Sequence, residues 1–337
     1  MRMQSLETYR CPASGGRLQL ADGAKWIEGE ILSGKIISSC AEYSVENGLP
    51  IFADMQQLEE SAIFARNYYA SIADTYDENV HVTFDLYNEN ERDVRLSMID
   101  LLNLKPHAKV LEVSAGTGKD SELIVKKLGA DGELWLLDIS PDMIEKSRAK
   151  LINYEARTEF AVGNACRMPY PDNHFDALYC FAGIGHFPDQ RAGLAEMARV
   201  VRPGGRVVFC EKNVPPWLRK TTYGKILINN NPMFSDPAPL DLIPVEARNV
   251  GIRWILGNAH YVVDYTVGEG EPMGNFDLEM PGYRGGSFNT RYFGRLEGIT
   301  EETKALYEKA AKRCGLSLHK WLESTIKERA IKDLAEG

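Results

Sequence analysis

Long apolar runs, internal repeats and clustered cysteines are all missing from this 337-residue chain, and each absence removes a class of protein. No stretch reaches the roughly 18 consecutive apolar residues of a spanning helix. The opening residues, MRMQSLETYRCP, hold no apolar core of a secretory leader, so no membrane span and a cytoplasmic setting are expected. The six cysteines stand far apart, which suits reduced thiols better than a disulfide framework. Positive charge is in deficit: 39 Lys and Arg against 48 Asp and Glu give a net charge of -9 and a pI near 5.4. Broad affinity for nucleic acid or anionic membrane is therefore not expected, although a local basic patch is compatible with that balance. The 29 glycines and 16 prolines are scattered, and 44% of residues are hydrophobic, as in an ordinary globular chain with a sizeable core.

Three parts follow from the patterning. Residues 1–55 alternate short β-prone runs (RLQL, GEILSG, KIIS, LPIF) with glycine turns and are expected to form a small β module. From 60 to 267, helical periodicity over 93–104 gives way to KVLEV, a helix over 122–128, ELWLLD, and a helix opened by Ser140 and Pro141. EFAVGN, FDALYC, a helix over 191–200 and GRVVFCE continue an alternation that predicts an α/β fold with a parallel sheet covered on both faces. VGIRWILG and AHYVVDYTVG are the last strand-like runs. Residues 268–286 read as a linker, and 287–337 as a strand-like run followed by two helices, the second capped by Ser317.

The chemistry begins at VLEVSAGTG, where a buried strand over 110–113 runs directly into small residues. Gly116 and Gly118 would let the backbone approach a ligand, and Glu112 sits at the strand end. The spacing is neither G-x-G-x-x-G nor a phosphate loop: position 120 is Asp and no Gly or Ala supplies the third fingerprint position, and Lys119 is followed by that same Asp120. The next strand ends at Asp138, 20 residues beyond Gly118, where a carboxylate is expected to accept both hydroxyls of a ribose.

VLEVSAGTG, LLDIS, GNACRMPYPDNHFDALYC and VVRPGGRVVF, in this order and spacing, resemble the class I S-adenosylmethionine-dependent methyltransferases, and most closely their UbiE-like ubiquinone/menaquinone branch. The resemblance covers about 60–270 and implies a Rossmann-like seven-stranded sheet, S-adenosylmethionine as cofactor and an enzyme that transfers its methyl group. It places the methionine and ribose parts of the donor at Glu112, Ser114, Ala115, Gly116, Gly118, Asp138 and Ile139. Met143 would lie against the adenine, Asn164 and Ala165 at its edge, and Phe181 on the sulfonium side. Two positions depart from the family pattern: Ser114 stands where glycine is common, and Asn164 where aspartate is usual. NYYASIADTYDENV resembles the family's N-terminal cover, with Tyr69 and Tyr76 over the donor; the alternative is that both tyrosines only pack a helix on the sheet.

The acceptor side carries weaker signals. His186, in AGIGHFPD, is the base candidate if the acceptor is a hydroxyl or a weakly acidic carbon; otherwise it caps the next helix. Tyr76 and Glu211 complete the catalytic candidates, with Glu211 and Lys212 open to reading as a strand-end ion pair. Tyr223, Trp254, Tyr261 and Tyr265 lie where the family builds its substrate wall, which implies a flat or apolar small-molecule acceptor, or else are core. Cys166, Cys180 and Cys210 are either small buried hydrophobes or a thiol set for arsenite-type methylation.

The termini resemble two other modules. CPASGGRLQL and SSCAEYSVENGLPIF resemble a four-cysteine zinc ribbon that retains only Cys11 and Cys40, so no metal is expected. FNTRYFGRLEGITEETKALYEKAAKRCGLSLHKWLESTIKERAIKDL resembles a ribbon-helix-helix module, which implies a homodimer and, as the rival, DNA reading by Arg291 and Arg295. Residues 288–337 hold ten Lys and Arg against eight Asp and Glu, a balance that favours dimerisation over DNA. The alternative functions are accordingly an RNA methyltransferase or a DNA-binding regulator, with a non-catalytic scaffold that keeps the cofactor fold as a third.

Overall fold

In VLEV and LWLL nearly every position is apolar, the mark of strands covered on both faces rather than one. A computed structural model describes residues 1–53, 58–281, 285–293 and 299–335 and sets these runs at the centre of a mixed sheet. The strands are β1 Gln19–Leu20, β2 Lys25–Ile27, β3 Glu30–Ile37, β4 Glu42–Glu46, β5 Leu49–Ile51, β6 Lys109–Val113, β7 Glu133–Asp138, β8 Arg157–Val162, β9 Phe175–Phe181, β10 Val201–Lys212, β11 Ala247–Ile255 and β12 His260–Val267. Their order is β1-β3-β4-β5-β8-β7-β6-β9-β10-β12-β11, with β2 paired to β3 alone. The seven strands from β8 to β11 along this path are the expected Rossmann-like sheet. β8, β7, β6, β9 and β10 run parallel, and β12 is antiparallel to both β10 and β11.

Successive side chains of a strand point to opposite faces, and the core divides accordingly. Leu111, Trp135, Leu178 and Phe209 belong to one buried cluster, and Val110, Leu136, Tyr179 and Val208 to the other. Helices follow the strands where local chemistry starts them. Ser140 accepts a hydrogen bond from the Met143 N–H at 3.4 Å ahead of the helix Pro141–Leu151, with Pro141 in the first turn, as the Ser-Pro pair predicted. Asp189 does the same for Ala192 at 3.0 Å ahead of Gln190–Val200.

The N-terminal strands continue the central sheet instead of standing apart as a separate module. Ile51 pairs in parallel with Val162, the Phe52 N–H donates to the Val162 carbonyl at 2.7 Å, and the Tyr9 ring meets Trp135 edge-on at 5.4 Å. Met1–Pro272 form one compact unit and Met273–Gly337 a second.

In the second unit the expected strand is corrected. Phe288–Tyr292 is a short helix, because Ser287 caps it by accepting from the Thr290 N–H while the Thr290 hydroxyl accepts from the Ser287 N–H. Arg291 donates to the Gly285 carbonyl at 3.1 and 3.2 Å, and Arg295 lies outside the described residues. The two expected helices are present as Glu301–Arg313 and Leu318–Ala335, with Gly315 left-handed at φ 66° between them and Ser317 accepting from the Lys320 N–H. Among the described residues no helix is long and apolar enough to cross a membrane.

Candidate functional site

The strand order reverses between β6 and β9, and the carboxyl ends of strands at such a point leave a crevice. A cleft of about 730 Å³ opens there, floored by Ser114, Gly116, Asp138 and Asn164 and roofed by Ala62, Ala65, Tyr69 and Tyr76. Of the residues expected at a donor, it brings together Tyr69, Ser114, Gly116, Asp138, Ile139, Met143, Asn164, Ala165 and Phe181, with Tyr76 and His186 beside them.

The floor is held by backbone hydrogen bonds. Asp138, at the end of β7, accepts from the Gly116 N–H at 2.8 Å through one carboxylate oxygen and from the Ser140 N–H at 2.9 Å through the other. Burial pushes its pKa up, and these N–H groups together with that of Ile139 oppose the rise. Each oxygen has a further lone pair open to a donor from the cleft. Gly116 is left-handed at φ 54°, and a Cβ there would meet nothing within 4 Å, so backbone conformation is what asks for glycine. Ser114 takes the same region at φ 56° without glycine's freedom, a strained position on the order of 1 kcal/mol at the centre of the site. The Asn164 side-chain oxygen accepts from the Cys166 N–H at 2.9 Å, which fixes the amide's orientation.

Three expected donor residues do not line the cleft. Glu112 is buried below it, accepts from the Ser121 hydroxyl and has its pKa pushed up by burial and by nearby Asp120. Asp120 is itself paired with Arg95, whose guanidinium lies 4.8 Å from the centre of the Phe181 ring. Gly118 packs a helix: a Cβ there would sit 2.9 Å from the Cβ of Ser147, and φ is 83°. Ala115 is buried, its N–H given to the Leu137 carbonyl at 3.3 Å.

The roof comes from the helix Glu60–Ile72 and the turn that follows it. The Tyr69 hydroxyl lies 3.1 Å from His186 Nε2, the two rings nearly perpendicular with centroids 5.5 Å apart. Burial pushes the Tyr69 phenol well above its usual range and Tyr76 up to about 12. Both therefore stay protonated at neutral pH, and Tyr69 donates to Nε2 in the imidazole tautomer that carries its proton on Nδ1. Burial lowers the pKa of His186; Glu211 opposes that shift and Lys212 reinforces it. The imidazole is thus neutral, the form a general base needs.

Glu211 is a positioning residue. One of its carboxylate oxygens accepts the Gly185 N–H at 2.9 Å and the other the Lys212 N–H at 2.9 Å, which fixes the turn Ile184–His186 from below. Tyr223, Trp254 and Tyr261 stand away from the cleft. Tyr223 donates to the Gly257 carbonyl at 2.6 Å, Trp254 to Asn213 at 2.9 Å, and Tyr261 is 2% exposed against Phe209. The three inner thiols do not converge. Cys180 and Cys210 lie in the clusters on opposite sheet faces, Cys166 donates to the Asp189 carbonyl at 3.2 Å, and burial raises the pKa of all three.

Sequence reasoning passed over Gly183, where a Cβ would fall 2.2 Å from the Ser114 hydroxyl oxygen, and the lid fasteners at Asp77. Asp77 pairs with Lys150 and accepts from Thr117 inside the loop after β6. The glycine-rich AGIG phrase was the available signal for the first; nothing local marks the second. Among the described residues no group of three or more His, Cys, Asp or Glu is placed to hold a metal.

A family model described as a methyltransferase domain matches residues 110–205. The ubiquinone/menaquinone biosynthesis C-methyltransferase UbiE of Cupriavidus metallidurans is 39% identical over 109 residues, 32% of this chain and 45% of that protein. The protein of the same description from Cupriavidus necator is 35% identical over 153 residues, 45% of this chain and 61% of that one. The chain thus spans about half the length of the curated relatives it matches. Solved structures with a similar fold include a SAM-dependent methyltransferase from Aquifex aeolicus, at TM-score 0.42 and 16% identity over 59% of this chain and 98% of that one. Another is phosphoethanolamine N-methyltransferase 2 of Haemonchus contortus in complex with S-adenosyl-L-methionine, at TM-score 0.47 and 12% identity over 60% of each chain.

Proposed function

We propose that the chain is an S-adenosylmethionine-dependent methyltransferase acting on a small aromatic or lipophilic acceptor. The observation that carries this reading is Asp138, a buried carboxylate at the end of the second parallel strand, tied to the left-handed Gly116 on the floor of a cleft with apolar walls. Such a floor suits a nucleoside. Asp138 accepts from the ribose hydroxyls, Asn164 offers donor and acceptor to a purine edge, and Ile139 and Met143 flank the base. When bound, S-adenosylmethionine supplies a methyl group on a sulfonium, activated for in-line displacement.

The residues of the chain do the rest. The Tyr69 and Tyr76 rings cover the cleft, exclude water and offer π faces to a cation. With Tyr69 donating to neutral His186 Nε2, the pair can relay a proton: the Tyr69 oxygen takes the one that an acceptor hydroxyl or acidic carbon must lose as its own passes to Nε2. The named activity of the UbiE relatives, C-methylation in quinone biosynthesis, supports an acceptor of the hydroxylated-ring kind, where a base is needed.

The test is calorimetric titration of the full chain with S-adenosylmethionine and S-adenosylhomocysteine, with Asp138→Ala alongside. Saturable binding lost in the variant is expected; a folded wild type that binds neither ligand overturns the reading. For the partner, a second copy of this chain is the reading favoured by Met273–Gly337, where Leu306, Ile331 and Leu334 are more than half exposed and Ala311 is the one apolar side chain buried among the described residues. Sedimentation of the full chain and of Leu306→Glu tests it, with a dimer expected from the first and a monomer from the second.

A further inference from the structure

Two turns of the N-terminal strands face each other with one thiol apiece. The first is closed by the Cys11 carbonyl, which accepts from the N–H groups of Ser14 and Gly15, and the second by the Ser38 hydroxyl, which accepts from the N–H groups of Cys40 and Ala41. This brings Cys11 Sγ and Cys40 Sγ to 3.9 Å. Cys11 is buried and Cys40 exposed. Around Cys11 Sγ lie the Ser38 and Tyr43 hydroxyls, each at 3.3 Å. Burial raises the Cys11 pKa, but hydrogen bonds from Ser14, Ser38 and Tyr43 outweigh it and bring the thiol down to about 6. At neutral pH Cys11 is therefore largely thiolate, unlike Cys166, Cys180 and Cys210.

Two thiols, with no third soft or acidic ligand beside them among the described residues, fall short of a closed zinc site. They are, however, placed for thiol–disulfide exchange: an accessible sulfur to meet a reagent and an ionised neighbour to resolve the product. We propose that Cys11 and Cys40 form a reversible intramolecular disulfide by exchange with small-molecule disulfides. The Cys40 thiolate attacks one sulfur of the disulfide RSSR, whose S–S bond breaks and releases RS⁻, leaving a mixed disulfide on Cys40. Cys11 thiolate then attacks Cys40 Sγ and expels the second RS⁻. Two protein thiols are oxidised, one RSSR is reduced to two thiols, and the two protons lost by the cysteines are taken up by the departing thiolates. The bond lies beside a second cleft of about 770 Å³, lined by Ala13 and Tyr43 on one side and by Asn164 and Pro188, shared with the first cleft, on the other.

The test is incubation of the full chain with reduced and oxidised glutathione at increasing oxidised fraction, followed by alkylation and peptide mapping without reduction. A Cys11–Cys40 cross-linked peptide is expected, lighter by two hydrogens and restored by dithiothreitol, with the exposed Cys314 as an internal control that carries only glutathione. Cys40→Ser, at an exposed position, keeps the fold and is expected to leave Cys11 without glutathione. Cys11→Ser is expected to stop at the mixed disulfide on Cys40. The proposal is overturned if wild-type Cys40 accumulates glutathione without the cross-link. It is equally overturned if both thiols remain alkylatable in a buffer that fully modifies Cys314.

Discussion

On the floor of the cleft, Asp138 is set by N–H groups of its own strand end and of the neighbouring loop, whereas the lid is fastened by long side chains reaching across from another element. The floor bonds are short-range, that from Ser140 buried and that from Gly116 partly buried. The lid bonds, Asp77 to Lys150 and Thr117 and Asp74 to Lys146, are partly or wholly in water. Buried backbone bonds give a fixed geometry that salt does not reach, while exposed ion pairs hold weakly and are screened. A floor that stays and a lid that lets go are what a site needs if a ligand has to enter beneath a cover.

The sharpest way to break that comparison is at the floor. Asp138→Ala is expected to weaken binding of S-adenosylmethionine on the order of a thousandfold by calorimetry, since two charge-assisted hydrogen bonds are lost. The loss is expected to be the same at low and high salt; a salt-dependent loss would put the floor in the same class as the lid. Next is the meeting point of the two, where His186→Gln is expected to lower kcat about a hundredfold. Because burial lowers the His186 pKa, the neutral base persists below pH 6.5, so the acid limb of the wild-type rate profile should inflect below 6.5. A limb at or above that value would contradict the assignment.

Within the lid, Asp77→Asn is expected to raise KM for the donor about fivefold with kcat nearly unchanged, an effect worth about 1 kcal/mol for a half-buried pair that also bonds Thr117. An equal fall in kcat would show that Asp77 acts on the reacting groups and not on the cover. The smallest effect belongs to Lys146→Met, whose partner Asp74 is 88% exposed. KM is expected to shift less than about twofold, and the shift to vanish above roughly 0.3 M salt.

Asp138, Gly116 and the helix start at Ser140 and Pro141 were legible because strand, turn and helix follow one another within a few residues and each carries its own local signal. Gly118 shows where spacing stops being informative: the same glycine serves a ligand or a packed helix, and only the position of Ser147 decides. The aromatic residues Trp254 and Tyr261 were expected at the acceptor but face Trp217 and Phe209, since composition tells how apolar a segment is and not which way it points. The strand expected near Phe288 failed for a local reason, the Ser287 and Thr290 cap that starts a helix there. The union of the N-terminal strands with the main sheet was invisible because it rests on a parallel pairing between Ile51 and Val162, with no shared turn to announce it.

That pairing also sets an order of events during synthesis. The strands before Phe52 leave the ribosome early, yet the edge that receives them belongs to β8 and emerges only after two strand–helix units have been made. Until Val162 appears, Tyr9 and Phe52 have no Trp135 wall completed by β8 to close on, and the early hairpins present an open edge. Closing so long a span costs entropy, so the strands before Phe52 are locked in place only once β8 has been made.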